Sequence, residues 1–212
     1  MNLEQARVNM VEQQIRPWEV LDQRVLDRLA AVLREDFVPP AFRKLAYADV
    51  QIPLGQGQVM LPPIIEGRLL QALDLKESES VLEIGTGTGY LTTVMAGLAG
   101  HVISVDIFPE LRHFPEQPLA NISLEVGDAA RGWSKGGPFD AIAITGALPD
   151  LPRTFLETLK PGGRLFAILG RAPAMEAVLI TRVGEQEWSR EGLFETVIPL
   201  LLNSEPKPKF VF

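Results

Sequence analysis

The apolar positions of this chain change texture at Ser80. Before it they recur three and four apart: Val8, Met10, Val11 and Ile15, then Val20, Leu21, Val25, Leu26, Leu29, Val32 and Leu33. That spacing predicts amphipathic helix over residues 1–35. Pro17 interrupts it by removing a helical N–H and crowding the preceding turn, so two helices meeting near residues 16–18 are expected. Asp22 is placed to cap the second. Residues 36–63 lose the period and carry Pro39, Pro40, Pro53, Gly55, Gly57, Pro62 and Pro63. They predict a long loop, and such a loop in a compact chain is usually functional or a covering segment. A third helix is expected over 64–73, ending at a turn over 74–80.

After Ser80 the apolar positions gather in short runs at 81–84, 101–105, 122–126, 139–144 and 164–169. Helical stretches lie between them, 151–159 most clearly, and a helix is also expected to start at Tyr90. Strand and helix in alternation predict an α/β fold with a mostly parallel, doubly wound sheet covered on both faces. Two more strands, 176–183 and 195–202, are expected to form an antiparallel pair closing one edge. Residues 206–212 read as a docked edge strand. The division expected is one domain, with 1–79 as a helical and loop extension covering a site on the core, 80–212.

Composition narrows the function. Hydrophobic residues make up 46% and charged residues 22%, a globular balance. A net charge of −7 gives no support for nucleic acid or a membrane surface as partner. Cysteine is absent, which excludes disulfides and thiolate metal sites. With His101 and His113 as the two histidines, a histidine metal site or catalytic triad is not expected. The N-terminus lacks the basic and apolar regions of a signal peptide, and no apolar run nears the ~20 residues that span a bilayer. A cytoplasmic protein is expected, and its acidic surface favours a monomer.

The candidate chemistry lies in Glu83-Ile84-Gly85-Thr86-Gly87-Thr88-Gly89-Tyr90. Glycines between a strand and a helix permit positive φ and close approach of backbone to a ligand. A dinucleotide turn wants G-x-G-x-x-G, and Tyr90 stands where its last glycine belongs. A P-loop is excluded because no Gly-Lys-Ser/Thr follows. Asp106 ends the second strand about 20 positions after Gly85, the spacing of an acid that binds a ribose diol. Asp128 follows the third strand, where a carboxylate accepts from an exocyclic amino group. Two acids and a glycine turn describe a pocket for a nucleoside without phosphates, and S-adenosyl-L-methionine (AdoMet) fits that description.

These residues resemble the first motif of AdoMet-dependent methyltransferases, and Phe139 to Thr145 and Leu159 to Leu165 resemble their later ones. The N-terminal third is more specific. Met10 to Arg16, Arg24 to Leu26, Phe37 to Pro39, Leu45 to Asp49 and Pro53 to Gln58 resemble the protein L-isoaspartyl (D-aspartyl) O-methyltransferase family. The resemblance implies the Rossmann-like, seven-stranded sheet of AdoMet-dependent methyltransferases. It implies methyl transfer to the carboxylate of isoaspartyl residues in damaged proteins, with S-adenosyl-L-homocysteine as product. It assigns Glu83, Gly85, Thr86, Gly87, Gly89, Tyr90, Asp106, Ile107, Asp128, Ala129 and Met60 to the cofactor. It makes Gln58, Leu61 (at the position of the family's serine) and Thr145 the catalytic positions on the acceptor side, and no metal is implied.

The chain departs from this family in two places. The family's loop continues Gly-Gln-Thr-Ile-Ser-Gln-Pro, whereas here it reads Gly57-Gln58-Val59-Met60-Leu61-Pro62-Pro63. Leu61 takes the place of a serine whose hydroxyl lies beside the reacting carboxylate, and leucine has no hydrogen to donate. A different acceptor, such as a small carboxylate, or a non-catalytic nucleoside-binding protein are the competing readings. The second departure is between the second and third strands, where Pro109, Pro115 and Pro118 should shorten or break the family's helix.

Overall fold

The computed structural model describes residues 2–115 and 118–205. Helix α1 (Leu3–Asn9) runs into a wider helical segment, Met10–Ile15, and a tight turn, Arg16–Trp18, that contains Pro17. Helix α2 (Gln23–Ala31) follows, with Asp22 as its cap: the carboxylate accepts the Arg24 N–H at 2.8 Å. Residues 36–63 hold more structure than their pattern predicts. A helical turn spans Pro40–Leu45, and a hairpin pairs β1 (Ile52–Gly55) with β2 (Gln58–Met60), Ile52 opposite Met60. Strands of three and four residues are too short to show alternation. Helix α3 (Pro63–Leu73) then leads to the core.

The core strands are β3 (Ser80–Ile84), β4 (His101–Asp106), β5 (Ile122–Val126), β6 (Phe139–Leu148), β7 (Leu159–Arg171), β8 (Ala174–Arg182) and β9 (Trp188–Glu195). They form one seven-stranded sheet in the order β5-β4-β3-β6-β7-β8-β9. The first five are parallel; β8 and β9 are antiparallel additions. From β3 the chain winds outward through β4 to β5, then returns to β6 on the other side of β3. That reversal opens a crevice at the carboxyl ends of β3 and β6.

Alternation along each strand sends side chains to both faces. Val81, Val102, Ala141, Phe166 and Ile168 join one apolar cluster with Ile15, Leu26, Leu29, Leu69 and Leu70 of the N-terminal helices. Leu82, Ile84, Val105, Ile142, Leu165 and Val178 join Phe155 of α5 (Arg153–Glu157) on the other.

Two expectations shift and one is met. Helix α5 is shorter than 151–159 because Leu159 already pairs with Phe139 at the start of β7. The strand placed at 195–202 lies instead at β9. The turn at Gly184 closes at once, with the N–H groups of Val183 and Gly184 donating to the Glu187 carbonyl, so pairing starts at Trp188. Residues 196–202 cross the end of β6 through one bridge, Ala147 to Leu200. Between β4 and β5 the described residues hold one short helical turn, Pro109–Leu111, as the prolines require. The strand expected at 206–212 lies outside the described residues.

Candidate active site

Gly85, Gly87 and Gly89 carry the chain from β3 into α4 (Tyr90–Ala96), with φ of +100°, +52° and +91°. Side chains rarely tolerate such values. Gly85 is also sterically confined, since a Cβ there would collide with Thr145 Oγ1. The turn is tied to β4: the Gly85 N–H donates to the Val105 carbonyl at 2.8 Å and the Gly87 N–H to Asp106 Oδ2 at 2.7 Å. Asp106 Oδ1 accepts the Phe108 N–H at 2.8 Å. The carboxylate retains acceptor capacity for a ligand, because its two oxygens offer about four lone-pair sites. Asp128, exposed after β5, accepts from the Ala130 N–H at 3.0 Å and from Asn203 Nδ2 at 2.8 Å.

Two cavities meet at Gly85. One is lined by Gln58, Asp106, Ile107, Asp128, Ala129 and Leu201, among others. The other is lined by Met60, Leu61, Glu66, Thr86, Tyr90 and Thr145 together with Gly87. Asp106, Ile107, Asp128 and Ala129 fall on one side of Gly85, and Leu61 and Thr145 on the other, together with Met60, Thr86, Gly87 and Tyr90, which were expected at the cofactor. Gln58, expected on the acceptor side, falls on the nucleoside side. Its side chain lines the nucleoside cavity, with the amide turned back on the Gln56 carbonyl at 3.1 Å.

Glu83 and Gly89 line neither cavity. Leu82 and Ile84 face one side of the sheet, so Glu83 faces the other, fully buried. Its Oε2 accepts from Thr92 Oγ1 and Ser104 Oγ, both at 2.5 Å, and its Oε1 has no partner. Burial pushes this carboxyl up to about 8 against those two hydrogen bonds, which favours the neutral form. Ser104 Oγ is also 2.6 Å from Thr86 Oγ1, which links Glu83 to the turn from beneath. Gly89 is covered by Phe114, whose ring fills the space a Cβ would need.

Thr145 sits where the pairing of β6 with β7 slips, between Ala143 and Ala147. The slip turns its hydroxyl toward the carbonyls of Ile84 and Gly85, each 2.9 Å away. Its proton is committed to the turn. Leu61, 5% exposed, presents an apolar wall. Trp133 is half-buried against the second apolar cluster, and His113 is exposed.

The sequence reading missed Arg34, Glu66, Leu201, Leu202 and Asn203. Glu66 alone left a signal, a charge on a helix whose other inward positions are apolar. Burial pushes its carboxyl up to about 7, while the Arg34 guanidinium pulls it down.

No lysine, arginine or histidine among the described residues lines either cavity. Acceptors without cations suit a ribose diol, an exocyclic amine and a sulfonium, and disfavour a phosphate. That lining is compatible with AdoMet, and the sheet has the Rossmann-like strand order of AdoMet-dependent methyltransferases. A family model for protein-L-isoaspartate(D-aspartate) O-methyltransferase matches residues 5–200. The protein-L-isoaspartate O-methyltransferase of Syntrophus aciditrophicus is 38% identical over 197 residues, 90% of each chain. That of Anaeromyxobacter dehalogenans is 40% identical over 187 residues, 85% of this chain and 88% of its own. A solved protein-L-isoaspartate O-methyltransferase superposes with a TM-score of 0.76 at 21% identity, covering 93% of this chain and 65% of the other. A structure from Plasmodium falciparum in complex with S-adenosyl-L-homocysteine gives 0.75 at 19% identity, covering 95% and 98%. At these identities the two structures speak for the fold. The chain belongs to the protein-L-isoaspartate(D-aspartate) O-methyltransferase family. It is an AdoMet-dependent protein carboxyl O-methyltransferase.

Proposed function

We propose that this enzyme methylates the side-chain carboxylate of isoaspartyl residues in damaged proteins, acting as a cytoplasmic monomer. The observation that carries the site assignment is the meeting of the two cavities at Gly85. Bound there, AdoMet supplies an electrophilic methyl group on its sulfonium. Asp106 accepts from the ribose diol and Asp128 from the adenine amine, while Gln58, Ile107 and Ala129 wall the nucleoside. Gly85, Thr86 and Gly87 let the backbone approach the methionine end. Thr145 holds that turn in shape through the Ile84 and Gly85 carbonyls.

An aspartyl-type carboxylate has a reference pKa of about 3.9 and arrives ionised, so no general base is required. The enzyme's task is to align the acceptor oxygen and keep water out. Met60, Leu61, Tyr90 and the hairpin residues Leu54 and Val59 form an apolar wall suited to the second part.

A second reading, a different carboxylate acceptor, draws support from Leu61. Its buried side chain offers no donor where the family has a serine hydroxyl, and an anion desolvated without a donor is costly. Steady-state methyl transfer to matched isoaspartyl and aspartyl peptides and to short dicarboxylates decides between them. Preference for the isoaspartyl peptide supports repair; turnover of a dicarboxylate alone replaces it.

A further inference from the structure

Beneath the acceptor cavity lies an ion pair that the chemistry above does not use. Arg34 is 0% exposed and Glu66 2%, and they meet across a sequence separation of 32. Nη1 of the guanidinium donates to the Glu66 carboxylate, and Nη2 donates to the Leu61 carbonyl at 2.5 Å. The same group lies over the Tyr90 ring, 4.7 Å from its centroid. Leu61, Glu66 and Tyr90 all line one cavity, so a single guanidinium touches three of its walls.

Burying two charges carries a large desolvation cost, and well-packed apolar residues often stabilise a core as well or better. Geometry is what the pair supplies. Leu61 is followed by Pro62 and Pro63, which have no N–H to anchor the chain. A planar guanidinium held by Glu66 through one nitrogen presents the other to the Leu61 carbonyl in a set direction.

We propose that Arg34 and Glu66 are positioning residues for methyl transfer: Glu66 orients Arg34, and Arg34 clamps the Leu61 carbonyl so that the acceptor loop stays against the glycine turn. The consequence for turnover rests on the proposed isoaspartyl activity; the clamp itself is measurable without it.

Two variants test it. Arg34→Lys keeps the charge beside Glu66 but loses the fork. The double variant Arg34→Met, Glu66→Leu leaves no lone buried charge that would prevent folding. Amide hydrogen exchange over residues 54–63 of the ligand-free protein reads the clamp, and peptide kinetics read its effect. Both variants are expected to keep the wild-type circular dichroism spectrum. Exchange over 54–63 should rise about tenfold, as for loss of one charge-assisted bond, while β3 and β4 exchange as in wild type. KM for an isoaspartyl peptide should rise about tenfold with S-adenosylhomocysteine affinity held within about twofold. Unchanged exchange over 54–63 in folded variants overturns the clamp. Faster exchange with an unchanged KM overturns the positioning role, and so does exchange that rises across the whole chain. A wild-type enzyme inactive on the peptide sinks the isoaspartyl reading instead, while the exchange data still decide the clamp.

Discussion

Asp106 Oδ2 accepts the backbone N–H of Gly87 at 2.7 Å, so the residue that closes β4 also shapes the turn that follows β3. The same carboxylate orders the chain beyond itself through the Phe108 N–H. A ribose would therefore meet an acceptor whose direction is already set by two backbone bonds, which lowers the ordering cost of binding.

Asp106→Ala should weaken S-adenosylhomocysteine binding by about tenfold to a hundredfold, the range for losing a hydrogen bond to a charged group. Asp106→Asn should fall between, because its amide oxygen still accepts one bond. Isothermal titration calorimetry measures both, and equal affinity for all three proteins would remove Asp106 from the site.

Gly85→Ala meets two obstacles, a φ of +100° and Thr145 Oγ1. It should destabilise the fold by about 1–3 kcal/mol and abolish measurable cofactor binding. A thermal melt and isothermal titration calorimetry check both effects, and a variant with wild-type stability and affinity would contradict them.

Glu83 makes stability depend on pH. Its carboxyl ionises near 4.5 when unfolded and near about 8 when folded. The unfolded state loses the proton first, so the contribution is full below about pH 4.5 and falls as pH rises toward about 8, by at most about 1.4 kcal/mol per unit. Glu66 acts in the same direction up to about pH 7. Glu83→Gln has no proton to lose and should gain on the wild type by about 1–3 kcal/mol between about pH 5 and about pH 8. Urea unfolding across that range checks it. Parallel curves would show that Glu83 is already ionised in the folded protein.

Leu61→Ser puts a donor into the acceptor cavity at the cost of a buried side chain. Stability should drop by about 2–4 kcal/mol, as for other large-to-small changes in a core. The kcat/KM for an isoaspartyl peptide should rise about tenfold, the gain from one bond to an anion. Peptide kinetics at a temperature where both proteins stay folded separate the two effects.

The parallel strands were legible because apolar runs of four to six residues end at glycine or a polar turn, and the turn at Gly85 marked the crevice. Asp106 and Asp128 were legible as acids at strand ends, and they line one cavity. Glu83 was expected at the cofactor from its place in the motif, whereas the pleat of β3 aims its carboxyl at Ser104 and Thr92. Strand β9 was misplaced because an edge strand exposes Ser189, Arg190 and Glu191, which erases the apolar run. The link from Arg34 to Leu61 and Glu66 left no local trace, since it joins residues about a third of the way apart along the N-terminal half and only tertiary packing brings them together.

Transfer of a labelled methyl group from AdoMet to an isoaspartyl peptide, beside the same peptide with normal aspartate, tests the central claim most directly. The account predicts a base-labile label on the isoaspartyl peptide and none on its aspartyl twin. Folded enzyme that binds S-adenosylhomocysteine yet labels neither peptide, or labels both equally, would contradict it.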